Sequence, residues 1–125
     1  ALPIWPNHKE FLGCFTCSQM NSDSILNSLG PFGSALSGRS MWNGFGTYGS
    51  DLSAFSPWNT MSSGDNPPIV VDRSGNFYGY FTVNNVHPKR TRVEALVWIL
   101  DNHDWVRQNL DKVRAEFHSS PEDDG

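Results

Sequence analysis

The sequence predicts an α+β domain. Three observations carry this: a sixteen-residue repeat across residues 24–61, two β-branched and aromatic runs within 67–84, and helical apolar stripes across 91–117. The expected architecture is a set of short helical-turn and loop repeats packed with a β-hairpin-containing antiparallel sheet and two C-terminal helices. At 125 residues, positions 1–118 read as one domain and 119–125, ending Glu122-Asp123-Asp124-Gly125, as a flexible acidic tail.

The repeat shows when the chain is cut as SILNSLGPFGSALSGR, SMWNGFGTYGSDLSAF and SPWNTM. Ser24, Ser40 and Ser56 coincide, as do Leu26, Trp42 and Trp58, then Asn27, Asn43 and Asn59, and then Leu29, Phe45 and Met61. A fixed period means one structural unit reused. Each unit reads as a serine N-cap, a short helical turn stopped by a left-handed Gly30 or Gly46, and an aromatic anchor followed by a second reversal at Gly33 or Gly49.

Ile69-Val70-Val71-Asp72 and the run from Phe77 to Val83 flank Arg73-Ser74-Gly75-Asn76. This is a hairpin whose type I turn closes on a left-handed Gly75, with Phe77, Phe81 and Val83 sharing one face with Gly79. Two strands alone are marginal, so a third strand or the helices must support them. Thr91-Arg92-Val93-Glu94 reads as a capping box. Val93, Leu96, Val97 and Leu100 form one stripe; Val106, Leu110, Val113 and Phe117 form a second out of phase, and Asn102 caps that second helix.

The net charge of -4 and pI near 5.4 argue against a nucleic-acid partner, since phosphate binding needs clustered Lys and Arg. Six of the nine basic residues fall between Lys89 and Arg114, interleaved with acids, and read as solvated helix faces. The longest apolar run, 95–100, is far short of the roughly 20 residues of a membrane span. Ala1 is the kind of small residue that signal cleavage leaves, so a periplasmic or extracellular location is expected.

Cys14-Phe15-Thr16-Cys17 has a spacing that serves redox pairs, half a zinc site or a structural link. With two cysteines a Cys₄ zinc site is excluded, and Ser18 stands where haem attachment needs His. His8, or another histidine, is the available third metal ligand beside Cys14 and Cys17. His87, His103 and His118 are dispersed, and no pair has a metal motif's helical spacing. The repeat asparagines and serines serve either as ligands for a cation or sugar or as partners for loop backbone, with backbone the stronger reading. Trp42, Asn43, Tyr48, Trp58 and Asn59 are the candidate contact surface, although repeat-spaced aromatics are more often core. No cofactor is implied.

The segment Phe11-Leu12-Gly13-Cys14-Phe15-Thr16-Cys17, the Ser-x-x-Asn-x-x-Gly-x-aromatic-Gly-Ser repeat, Ser56-Pro57-Trp58-Asn59, Pro67-Pro68-Ile69-Val70-Val71-Asp72 and Gly75-Asn76-Phe77-Tyr78-Gly79-Tyr80 together resemble a set of uncharacterised exported bacterial proteins. In some of them this region accompanies a staphylococcal-nuclease-like domain. The likeness covers roughly residues 11–84. It implies an accessory or binding module and assigns no catalytic residue. The leading expectation is therefore a non-enzymatic exported module, and the candidate aromatic and asparagine surface suggests a polysaccharide or an envelope protein as partner. Two other readings stand beside it: a metal- or thiol-dependent enzyme centred on Cys14 and Cys17, and a structural envelope-associated protein.

Overall fold

The computed structural model describes residues 4–6, 11–18 and 20–118; His8 and the acidic tail 119–125 lie outside them. The fold is α+β. Its strands are β1 (Ile4–Pro6), β2 (Pro68–Val71) and β3 (Phe77–Tyr80), and its helices α1 (Glu94–Asp101), α2 (His103–Gln108) and α3 (Leu110–His118). The three strands form one antiparallel sheet in the order β1-β2-β3.

The repeat region builds a coil of consecutive β-turns rather than helical turns. Backbone amides of Asn27, Gly30, Ser34, Ser37 and Ser40 bond to the carbonyls of Ser24, Asn27, Gly30, Ser34 and Ser37 at 3.0–3.3 Å. Asn43, Gly46, Ser50, Ser53 and Ser56 repeat the set sixteen residues on, over the same distances. The reason lies in the side chains. Ser24, Ser40 and Ser56 each accept the amide two residues ahead at 3.0–3.1 Å, and Asn27, Asn43 and Asn59 do the same at 2.8–3.0 Å. A side-chain oxygen that captures a local amide competes with helix propagation, so each turn closes and the next begins. The same pattern already starts at Ser18 and Asn21, ahead of the first sequence-detected copy.

The glycines work differently from the expectation. Gly30 and Gly46 are not left-handed; their amides close the asparagine turns and their carbonyls accept the next pair of amides. Gly33 and Gly49 lie where a Cβ would strike the carbonyl oxygen of Asn27 or Asn43, so close backbone approach, not a reversal, requires them.

Coils stack through their tryptophans. The Trp42 indole N–H donates to the Ile25 carbonyl and that of Trp58 to Met41, both at 2.6 Å, and the two rings stack with centroids 5.6 Å apart. Trp58 also meets His103 face to face and Phe81 edge-on, at the centre of a core that includes Ile25, Met41, Phe81, Leu96, Ile99 and Val106.

The hairpin turn forms as expected, with the Gly75 amide bonded to the Asp72 carbonyl at 3.0 Å and Gly75 at φ +86°. The shared face does not. The pairing shifts between Ile69 and Val71 and Gly79 takes φ +100°, so Phe77 is exposed while Phe81 is buried in the core. Gly79 also admits residues 89–91: the Tyr80 amide bonds to the Lys89 carbonyl and the Thr91 amide to the Tyr80 carbonyl.

That tie displaces the capping box. Thr91 Oγ1 accepts the Val93 amide, α1 begins at Glu94, and its N-cap is Val93 without a side-chain bond. The single expected second helix is two, α2 and α3, broken at Asn109. Its carboxamide donates back to the Trp105 carbonyl at 2.8 Å, as that of Asn102 donates to Trp98 at 2.9 Å instead of capping forward.

Candidate functional site

The sequence-predicted contact residues are scaffold. Trp42 is 6% exposed and Trp58 1%, each with its indole N–H engaged. Tyr48 is half-buried against the core. The carboxamide nitrogens of Asn27, Asn43 and Asn59 donate to the carbonyls of Asn21, Ser37 and Ser53 at 3.1–3.2 Å, while their oxygens hold the amides described above. The asparagines therefore satisfy backbone groups of the coil.

The arginines depart most from the solvated-face expectation. Arg107 bonds the Gly49 carbonyl and Asp51 while lying over the Trp58 ring; Arg114 bonds the Gly33 and Leu26 carbonyls. Gly33 and Gly49 are repeat equivalents, so two arginines seven residues apart bind matching points on successive coils. The repeat of Trp98-x-x-x-Asn102 in Trp105-x-x-x-Asn109 marks this second periodicity in the sequence.

Among the side chains that the coil leaves outside is a regular apolar set. Leu29, Phe45 and Met61 form one set of repeat-equivalent turn corners and Met20, Leu36 and Leu52 another; all six are more than four-fifths exposed. Every one follows two residues after the Ser or Asn that caps its turn. At the same offset from Ser24, Ser40 and Ser56, Leu26, Trp42 and Trp58 point inward. One unit thus supplies both a core row and outer rows. Scattered surface apolars are ordinary; these recur at one spacing on stacked coils.

Cys14 and Cys17 are free thiols, buried at 5% and 7% exposure. The Cys17 amide donates to Cys14 Sγ at 3.1 Å, and Cys17 Sγ lies 3.5 Å from the Cys14 carbonyl. Hydrogen bonding from the Cys17 thiol, helped by the Cys17 and Thr16 amides and opposed by burial, lowers the Cys14 thiol from 9.0 to about 6. The shared bond, burial and the neighbouring thiolate push Cys17 up. Among the described residues no three His, Cys, Asp or Glu side chains form a metal-holding group. His87 bonds the Gly64 carbonyl and the Lys89 amide, and His103 the Leu100 carbonyl.

No helix among the described residues is long and apolar enough to cross a membrane. In comparisons with known proteins, no family model, curated protein or solved structure matches the chain.

Proposed function

We propose that the chain is a non-enzymatic, exported interaction module that holds a protein partner against the outer apolar rows of its turn coil. The supporting observation is the regular exposure of Leu29, Phe45 and Met61, and of Met20, Leu36 and Leu52, on a scaffold whose polar side chains are occupied by its own backbone. Interfaces draw on such large apolar anchors, and Phe and Met are enriched in them. On the repeat itself a protein fits this chemistry better than a polysaccharide, because the repeat indoles of Trp42 and Trp58 are buried and cannot stack on sugar rings.

Photocrosslinking tests the reading. With p-benzoylphenylalanine at position 29 or 45, illumination in the producing cells is expected to give discrete protein adducts, reduced by excess untagged wild-type chain. The same group at Asp104, exposed on α2, is expected to give none. Absence of adducts from positions 29 and 45, or equal adducts from all three, overturns the reading.

A further inference from the structure

The Cys14–Cys17 loop caps the first coil of the repeat. The Cys14 amide bonds to the Asp23 carbonyl at 2.6 Å and the Ile25 amide to the Cys14 carbonyl at 3.0 Å, a parallel bridge that continues the stack beyond the turns. Gly13, at φ +122°, brings the loop in so closely that a Cβ would stand 2.6 Å from Ile25 Cγ2 and 2.9 Å from Phe32 Cβ. One cysteine is thereby pinned by its backbone on both sides, and the three-residue step brings the second back onto it. The loop also holds Thr16 Oγ1, a buried side-chain oxygen with no hydrogen-bond partner.

We propose that Cys14 and Cys17 are a redox-active dithiol that exchanges electrons with low-molecular-weight disulfides, Cys14 being the attacking sulfur and Cys17 the resolving one. Cys14 Sγ receives the Cys17 amide and so is the sulfur whose thiolate the loop stabilises; the lowered Cys14 thiol and the raised Cys17 thiol agree with that division. In the first step the Cys14 thiolate attacks one sulfur of a disulfide RSSR, forming a Cys14–SR mixed disulfide and releasing RS⁻. In the second, the Cys17 thiol gives its proton to a thiolate in solution, and its sulfur attacks Cys14 Sγ and expels the second RS⁻. The protein loses two electrons and closes a Cys14–Cys17 disulfide; RSSR is reduced to two thiols. Small disulfides are the fitting class because the thiols are nearly buried, and a broad partner surface would not reach them.

The native chain is to be equilibrated in oxidised and reduced glutathione mixtures, quenched with acid and mapped by mass spectrometry. Wild type is expected to convert in one two-electron transition to the internal disulfide, without a persistent glutathione adduct. Cys17→Ser is expected to stop at a Cys14–glutathione mixed disulfide, and Cys14→Ser to react at least tenfold more slowly than Cys17→Ser. Since a variant can fail to fold, a brief iodoacetamide pulse on native wild type supplies a second reading: alkylation at Cys14 at least tenfold ahead of Cys17. Thiols that react only after denaturation, or two cysteines that alkylate at equal rates in the native chain, overturn the proposal.

Discussion

Trp58→Ala is expected to destabilise the domain by about 4 kcal/mol, the range of a buried large aromatic truncated in a core. On a chain of this length that lowers the thermal midpoint by on the order of 15 °C. The size follows from what Trp58 does at once. Its ring stacks on Trp42 and His103, meets Phe81 edge-on and lies under Arg107, so it joins two coils of the repeat to the strands and to α2. Its indole N–H closes on the Met41 carbonyl, which truncation leaves without that partner. Trp58→Phe separates the contributions: it keeps an aromatic plane and loses the donor, and a cost of about 1–2 kcal/mol is expected. Urea denaturation checks both, and a loss under about 1 kcal/mol for Trp58→Ala would show that the coils do not meet through this ring.

Gly49→Ala is expected to cost about 3 kcal/mol, at the upper end for one inserted methyl. The added Cβ would strike the Asn43 carbonyl oxygen, and the Met41 carbonyl oxygen lies 2.9 Å away. Both obstacles are backbone. The Asn43 carbonyl already accepts the Gly46 amide, so it cannot turn aside without opening its own turn. Repeat symmetry sharpens the expectation: Gly33→Ala meets Asn27 in the same way and should cost about the same. Gly38→Ala is the opposite case. Nothing lies within 4 Å of its Cβ and its φ is not left-handed, so alanine should stabilise by roughly 0.5 kcal/mol through the unfolded chain. Thermal denaturation of the three variants makes the comparison, and equal tolerance at Gly49 and Gly38 would contradict the tight coil.

These outcomes depend on features that the sequence displays unequally. The equivalence of Ser24, Ser40 and Ser56 and of the tryptophans is plain from spacing, and the Gly75 turn from its residue types. The nature of the unit was harder to read, because a serine before an apolar residue caps a helix and opens a β-turn alike. What separates them is polar residues recurring at three-residue steps, as in Ser34, Ser37, Ser40 and Asn43, which gives each of these turns its own closing acceptor. Spacing makes Arg107 and Arg114 read as solvated because they bond to carbonyls 58 and 81 residues away in the chain, and carbonyls leave no mark on residue identity.

The candidate contact residues serve the scaffold for a related physical reason. Tryptophan and asparagine are the residue types that bind sugars, yet here the former fills the core and the latter closes the backbone. Leu29, Phe45 and Met61 carry less chemical character, and in the sequence they stand out only as repeat members. Inner and outer rows have the same apolar composition, so composition alone does not sort them; burial does.

The most direct measurement of the account is therefore the unfolding free energy of single serine substitutions in the two rows, three positions apart in each unit. Leu29→Ser, Phe45→Ser and Met61→Ser are each expected to lie within about 0.5 kcal/mol of wild type, as exposed positions do. Leu26→Ser, Trp42→Ser and Trp58→Ser are each expected to lose about 3 kcal/mol or more. Comparable losses in both rows would place the outer side chains in the core and contradict an apolar surface held outward for a partner.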